Sequence, residues 1–348
     1  MRQIQTWVCV AAAASLYACD RTVTYEENTA QPATCFNCHS DQDTKLVAAE
    51  QQYEFSVHAS GLHVTEPNDP CSGCHTSEGF ISRIETGVIP TGLENPTAIH
   101  CFTCHAPHTN SDMTRRLDRP FALANGVTFD HHDGNACTAC HQARRNVNTY
   151  VTTTTGRVTL TNRWGPHHSP QTDMLTGTNG YEYPGFTYEQ SNHKTATADG
   201  CLDCHMKETE NLRVGGHSFN MTFDDGTEVL MNTAACADCH GDLDDFDLDG
   251  YQTQTDSLVT DLRTRLVAAG LVSGSTGLPR SVTTSSDSAG AVWNYLLVIE
   301  DRSKGVHNRK YIQSLLKSGI DYMQGTLPVP VEGAPVAARK DDGGEGSR

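Results

Sequence analysis

This chain of 348 residues is short of apolar and aromatic side chains: the AVILMFWYC set makes up 37% of it, and Phe, Trp and Tyr 7%. That is lean for a chain that must fill its interior with side chains alone, so something other than protein is expected to supply apolar surface. Basic residues are also scarce, with 25 Lys and Arg against 42 Asp and Glu and a formal charge of −17. Such a balance excludes nucleic acid as a partner. It suits partners whose docking face is basic or close-packed, with electrostatics guiding the encounter. Long apolar runs are missing too. The run from Trp7 to Leu16 is too short to span a bilayer. Between Arg2 and the Ala18-Cys19 step, it reads as an export signal over residues 1–18.

Cysteine and histidine are abundant, with 14 Cys and 17 His. Twelve of the cysteines fall in six copies of CxxCH: Cys35, Cys38 and His39; Cys71, Cys74 and His75; Cys101, Cys104 and His105; Cys137, Cys140 and His141; Cys201, Cys204 and His205; Cys236, Cys239 and His240. Two cysteines at this spacing can each form a thioether to a haem vinyl group, and the histidine that follows is then held under the ring to bind iron. Structural zinc, the other use of paired cysteines, takes four ligands and requires no histidine after every second cysteine. Six haem c groups are therefore expected, their porphyrins supplying the missing apolar surface. Such a fold should be mainly α-helical, with short helices and long irregular connections, and should form only as haem is attached.

At these motifs the chain resembles exported bacterial multihaem c-type cytochromes. The segment Leu16-Tyr17-Ala18-Cys19 resembles a lipobox, which implies a lipid on Cys19; simple cleavage nearby is the alternative. Residues 19–34 then read as a tether, and the location as periplasm, outer membrane or cell surface, with membrane contact only through that lipid. The resemblance also implies redox proteins as partners.

Eleven histidines remain for the far face of each iron. His108, three residues after His105, is better placed to serve another haem than its own. His58 lies in FSVHAS, which resembles a stretch that supplies a distal ligand in related proteins. The segment WGPHHSP, with His167 and His168, resembles another; one of the two is expected on iron and the other beside it as a hydrogen-bonding partner. His193 and His217 flank the fifth motif. His307 stands in GVHN, and DRSKGVHNRK resembles the C-terminal region of pentahaem nitrite reductases and octahaem hydroxylamine oxidoreductases, where a histidine in this setting ligates haem. His63, His100, His131 and His132 are reserves.

The first cysteines of successive motifs stand 30–36 residues apart except between the fourth and fifth, where the gap is 64. Within that gap the β-branched residues 150–161, broken by Thr155-Gly156, read as a β-hairpin. After the sixth motif, Asp245, Asp247, Asp249, Gly250 and Asp256 match positions of a calcium loop, although Glu is usual where Asp256 stands. An acidic helix start is the other reading. Residues 35–250 thus form a six-haem region and 251–325 a C-terminal helical lobe that supplies a ligand; 326–348 form a disordered tail. The function expected is electron transfer through six haems, most or all of them with two histidines each. The alternatives are a reductase or oxidase of a small nitrogen or sulfur compound with one open iron, and a self-assembling subunit of a cytochrome filament.

Overall fold

A computed structural model describes residues 44–61, 71–107 and 113–327. Contacts divide the chain into residues 1–40 and 41–348, and every described residue lies in the second part. The expected export signal and tether, the first motif (Cys35, Cys38, His39), His63, His108 and the tail from 328 onward lie outside the described residues.

Helices and irregular segments dominate. Helices α1 (Thr44–Tyr53), α2 (Ser77–Thr86) and α3 (Gln171–Thr176) precede three longer ones: α4 (Tyr251–Ala268), α5 (Ser286–Asp301) and α6 (Arg309–Gln324). Each described CxxCH motif adds about one helical turn of its own. Helix α5 is apolar nearly all round (AVWNYLLV) and is accordingly buried over most of its length. Helix α6 buries one face through Tyr311, Ile312, Leu315, Leu316 and Ile320, at helical spacing.

These helices build the main core. Trp293 and Leu297 of α5, Leu262 and Leu266 of α4, and Ile312, Leu315 and Leu316 of α6 are all fully buried. The same cluster takes in Val147, Val151, Val158, Leu160, Trp164 and Met174 from the long gap between motifs. The helical lobe is therefore not confined to residues 251–325; the 64-residue gap supplies part of its interior. Burying each such side chain contributes roughly 1.5–3 kcal/mol. Polar groups lock the gap segment onto α5: Tyr181 N donates to Asn294 Oδ1 (2.7 Å), Asn294 Nδ2 to Tyr181 O (2.9 Å) and Trp293 Nε1 to Asn179 O (2.7 Å). Gly290 allows this approach, since a Cβ there would stand 2.2 Å from the Tyr181 ring.

Among the described residues six short strands form three antiparallel pairs: β1 (Phe121–Ala122) with β2 (Thr128–Phe129), β3 (Arg157–Thr159) with β6 (Thr283–Ser285), and β4 (Thr222–Asp224) with β5 (Val229–Met231). The hairpin expected over 150–161 does not form. Asn146 caps a helical turn over Val147–Tyr150, Val151 is buried in the core, and Gly156 N bonds to Thr153 O to close a turn. Only residues 157–159 are extended, and their partner is the strand that leads into α5. Core packing and a distant strand thus override the local β-branched preference.

Elsewhere the apolar clusters are small. One gathers Phe80, Ile84, Leu117 and Ala139, another Leu123, Phe129 and Leu175. Cys140 of the fourth motif packs against the first of these clusters and Cys201 of the fifth against the second.

Candidate haem sites

In four of the five described motifs the histidine amide closes a turn onto the first cysteine: His75 N to Cys71 O, His105 N to Cys101 O, His141 N to Cys137 O and His240 N to Cys236 O, all at 2.9–3.0 Å. One helical turn sets residues three apart on a common face, which is why two thioethers to one porphyrin need the CxxC spacing.

Every described motif histidine faces a second imidazole. Ring-centre separations are 6.3 Å for His75 and His167, 6.4 Å for His105 and His217, 6.0 Å for His141 and His58, 6.3 Å for His205 and His307, and 6.0 Å for His240 and His193. Two metal–nitrogen bonds of ~2.0 Å, plus ~1 Å from each nitrogen to its ring centre, amount to ~6 Å. The residues present therefore fit one iron held between each pair. Burial, reinforced by the facing His141, pushes His58 down to about 4, and burial likewise brings His205 to about 4. His105, His141 and His217 are lowered for the same leading reason. A neutral ring is the form that binds metal.

The outer nitrogen of several of these rings is held by a fixed acceptor, which orients the ring and sets its tautomer. His105 Nδ1 lies 2.6 Å from Met113 O, His193 Nδ1 2.6 Å from Val306 O, His205 Nδ1 2.9 Å from Phe219 O and His141 Nδ1 3.1 Å from Gln171 Oε1. His307 differs in having a carboxylate, Asp301 Oδ1, at 2.6 Å. Burial works against its charged form, but Asp301 outweighs burial and raises the ring's pKa.

Neighbouring pairs share residues. The Phe219 ring stands 5.4 Å from His58 and 6.0 Å from His217, while its carbonyl receives His205. One residue thus touches the pairs of the third, fourth and fifth motifs. Gln171 faces His141 and donates to Asp301 O (3.2 Å). Cys74 Sγ lies 3.8 Å from Ala139 O, and Cys140 Sγ 3.9 Å from Cys74 O, so the second and fourth motifs abut. Asn232 Nδ2 reaches Cys204 O (3.4 Å), and Lys207 pairs with Asp238 (2.8 Å), tying the fifth motif to the sixth.

Not every expected residue is brought to a motif histidine. His167 has φ 76, a left-handed backbone that turns the adjacent rings to different partners. His167 faces His75, whereas His168 is exposed and meets Glu300 Oε2 at 2.6 Å, the hydrogen-bonding half of the expected pair. His100 caps the third motif's turn, and His131 Nδ1 meets Thr197 O (2.9 Å). The calcium loop does not assemble. Asp247 accepts from Gln252 N, Thr253 N and Thr253 Oγ1 at the start of α4, Asp245 accepts from Asp247 N, and Asp256 pairs with Lys304 (2.8 Å). Helix amides and one ammonium take these carboxylates, and among the described residues no group of three or more His, Cys, Asp or Glu gathers as a metal ion would need. Phe219, Gln171 and Asp301 went unforeseen; Asp301 alone left a trace, as an acid six residues before His307.

No family model matches the sequence. Its relatives are polyhaem c-type cytochromes, and they support that class for this chain. The C-type polyheme cytochrome OmcB of Geobacter sulfurreducens is 24% identical over 372 residues, covering 82% of this chain and 47% of OmcB. The C-type polyheme cytochrome OmcC of the same organism is 25% identical over 325 residues, covering 78% of this chain and 39% of OmcC. The chain thus spans about half or less of the length of these curated relatives. Among solved structures, the outer cell wall cytochrome OcwA shares the fold with a TM-score of 0.52 at 20% identity, covering 78% of this chain and 50% of OcwA.

Proposed function

We propose that this protein carries electrons through six covalently attached haem c groups, each bound by two histidines. The observation that carries the reading is the set of five facing imidazole pairs at 6.0–6.4 Å. On this reading Cys71, Cys74, His75 and His167 hold one haem; Cys101, Cys104, His105 and His217 a second; Cys137, Cys140, His141 and His58 a third; Cys201, Cys204, His205 and His307 a fourth; Cys236, Cys239, His240 and His193 a fifth. Cys35, Cys38 and His39 attach the sixth, and His108 stays a candidate ligand. Haem held in this way supplies a one-electron couple whose iron has no open position.

The chain's own residues do the remaining work. They bury His58, His105, His141, His205 and His217 so that the neutral ring is favoured, fix several rings through the outer nitrogen and set adjacent sites in contact through Phe219 and Gln171. Export on residues 1–18 and a lipid on Cys19 would place the protein in the periplasm, at the outer membrane or at the cell surface, and the likeness to an outer cell wall cytochrome supports that range. Among the described residues no helix is long and apolar enough to cross a membrane. The partners are other redox proteins with basic or close-packed docking faces.

The test is haem stoichiometry by pyridine haemochrome together with low-temperature EPR of the oxidised protein. Six haems, all low-spin and unchanged by nitrite or hydroxylamine, are expected. A high-spin haem that shifts with either ligand would mean an open iron and turn the reading to a reductase or oxidase.

A further inference from the structure

Resting on that reading of the His205 and His307 pair, we propose that the buried Asp301 carboxylate is a positioning residue that holds this site at a lower reduction potential than a neutral acceptor would. Asp301 is only 2% exposed. Its Oδ1 takes His307 Nδ1 at 2.6 Å, and its Oδ2 accepts from Ser303 Oγ. The acceptors at the sites of the third, fourth and sixth motifs are neutral: the carbonyls of Met113 and Val306 and the Gln171 amide. An anionic acceptor moves more electron density onto the imidazole than a neutral one, and a more electron-rich axial ligand favours ferric over ferrous iron.

The loop from Asp301 to His307 is built for this contact. Arg302 and Lys304 adopt left-handed backbone at φ 62 and 53, a conformation rare outside glycine, followed by Gly305 at φ 109. Those turns fold His307 back onto the carboxylate six residues earlier. Ser303 Oγ stays the loop by accepting from Gly305 N (3.2 Å) and His307 N (3.3 Å). Lys304, three residues after Asp301, pairs through Nζ with Asp256 of α4 at 2.8 Å. The site is also central. Val306, next to His307, receives His193 of the sixth motif's pair, and Gln171 joins Asp301 O to His141 of the fourth.

The experiment is redox potentiometry of the holoprotein, followed by EPR, on Asp301→Asn, Ser303→Ala and His307→Ala. Asp301→Asn keeps a neutral acceptor and should raise the potential of one haem by about 59 mV, a tenfold change in its reduction equilibrium, leaving the others in place. Ser303→Ala removes the donor that draws charge from Asp301 and should shift the same haem downward, an opposite sign that a merely structural role would not produce. His307→Ala separates the two claims. If it opens no high-spin haem, the ligand assignment fails. If it opens one while Asp301→Asn leaves every potential unmoved, or moves all of them alike, the tuning role is overturned and the ligation stands. Should Asp301→Asn not take up haem, Ser303→Ala decides alone, and no shift overturns the proposal.

Discussion

Two regions of this chain reach compactness by different means. Around α4, α5 and α6 the interior is a continuous apolar cluster anchored by Trp293, Tyr311, Leu262, Leu297 and Leu315. Around the CxxCH turns the buried apolar residues come in groups of four and three. The helices there are mostly single turns, far below the length at which a helix is stable alone. What converges instead is histidine on histidine, five times over. The contrast accounts for a composition that reads as too lean: the apolar side chains are not spread thinly but concentrated in one place, and the remainder of the chain is shaped to surround something else.

The strongest way to break that contrast is to withhold haem. Chain produced without haem attachment should lose amide protection from hydrogen exchange across residues 71–142, while α5 and α6 keep a protected fraction. This is the largest effect expected, since it removes most of what holds one region together. Protection persisting over 71–142 would mean that the small clusters suffice.

A step down in size, truncation compares the two interiors directly. Trp293→Ala should cost about 3–5 kcal/mol in guanidinium unfolding of the holoprotein, because the fully buried indole leaves a cavity and strands Asn179 O. Phe80→Ala, in the four-residue cluster, should cost about 3 kcal/mol or less, as fewer apolar neighbours line the space it leaves. Equal costs would show that packing around the motifs is as extensive as in the helical core.

How much of this was legible follows the same division. The motif turns were readable because CxxCH is local, and α4 to α6 because their apolar residues recur at helical spacing. The far-face histidines could be short-listed from their settings, but not their pairing: His58 meets His141 and His75 meets His167, contacts fixed by the path of the chain between them. Two true hairpins carried their turn signal, Asn125-Gly126 and Asp225-Gly226, yet their strands of two or three residues are too short to show as a pattern. The Thr-rich stretch near 155 had more β-branched residues and formed no hairpin, because Val151 and Val158 were claimed by the core. In the stretch with calcium-loop spacing, the amides that open α4 take the Asp247 carboxylate and the Lys304 ammonium takes that of Asp256. Asp301 showed only as an acid six residues before His307, because its contact depends on left-handed backbone at Arg302 and Lys304, residue types that do not announce it.

The smallest effects come from helix caps, and here the two regions should differ in kind. Ser285 Oγ accepts from Ser288 N (3.1 Å) at the start of α5, inside the unit with the large core. Ser285→Ala should therefore cost about 1 kcal/mol and appear in full as a lower global unfolding midpoint. Thr76 caps α2 by accepting from Gly79 N (3.0 Å) and also donates to Ser72 O (3.0 Å), so its hydroxyl joins the turn ending in His75 to the helix that follows. Thr76→Ala removes two buried hydrogen bonds, a comparable intrinsic loss of about 1–2 kcal/mol. On the proposed reading, attached haem would tether His75 and its cysteines whether or not α2 is capped, so the loss should surface as faster amide exchange in α2 with little change in the global midpoint. If both variants lower the midpoint alike, the motif region and the helical core unfold as one cooperative unit, and the haem-held part is not independent of the side-chain core that adjoins it.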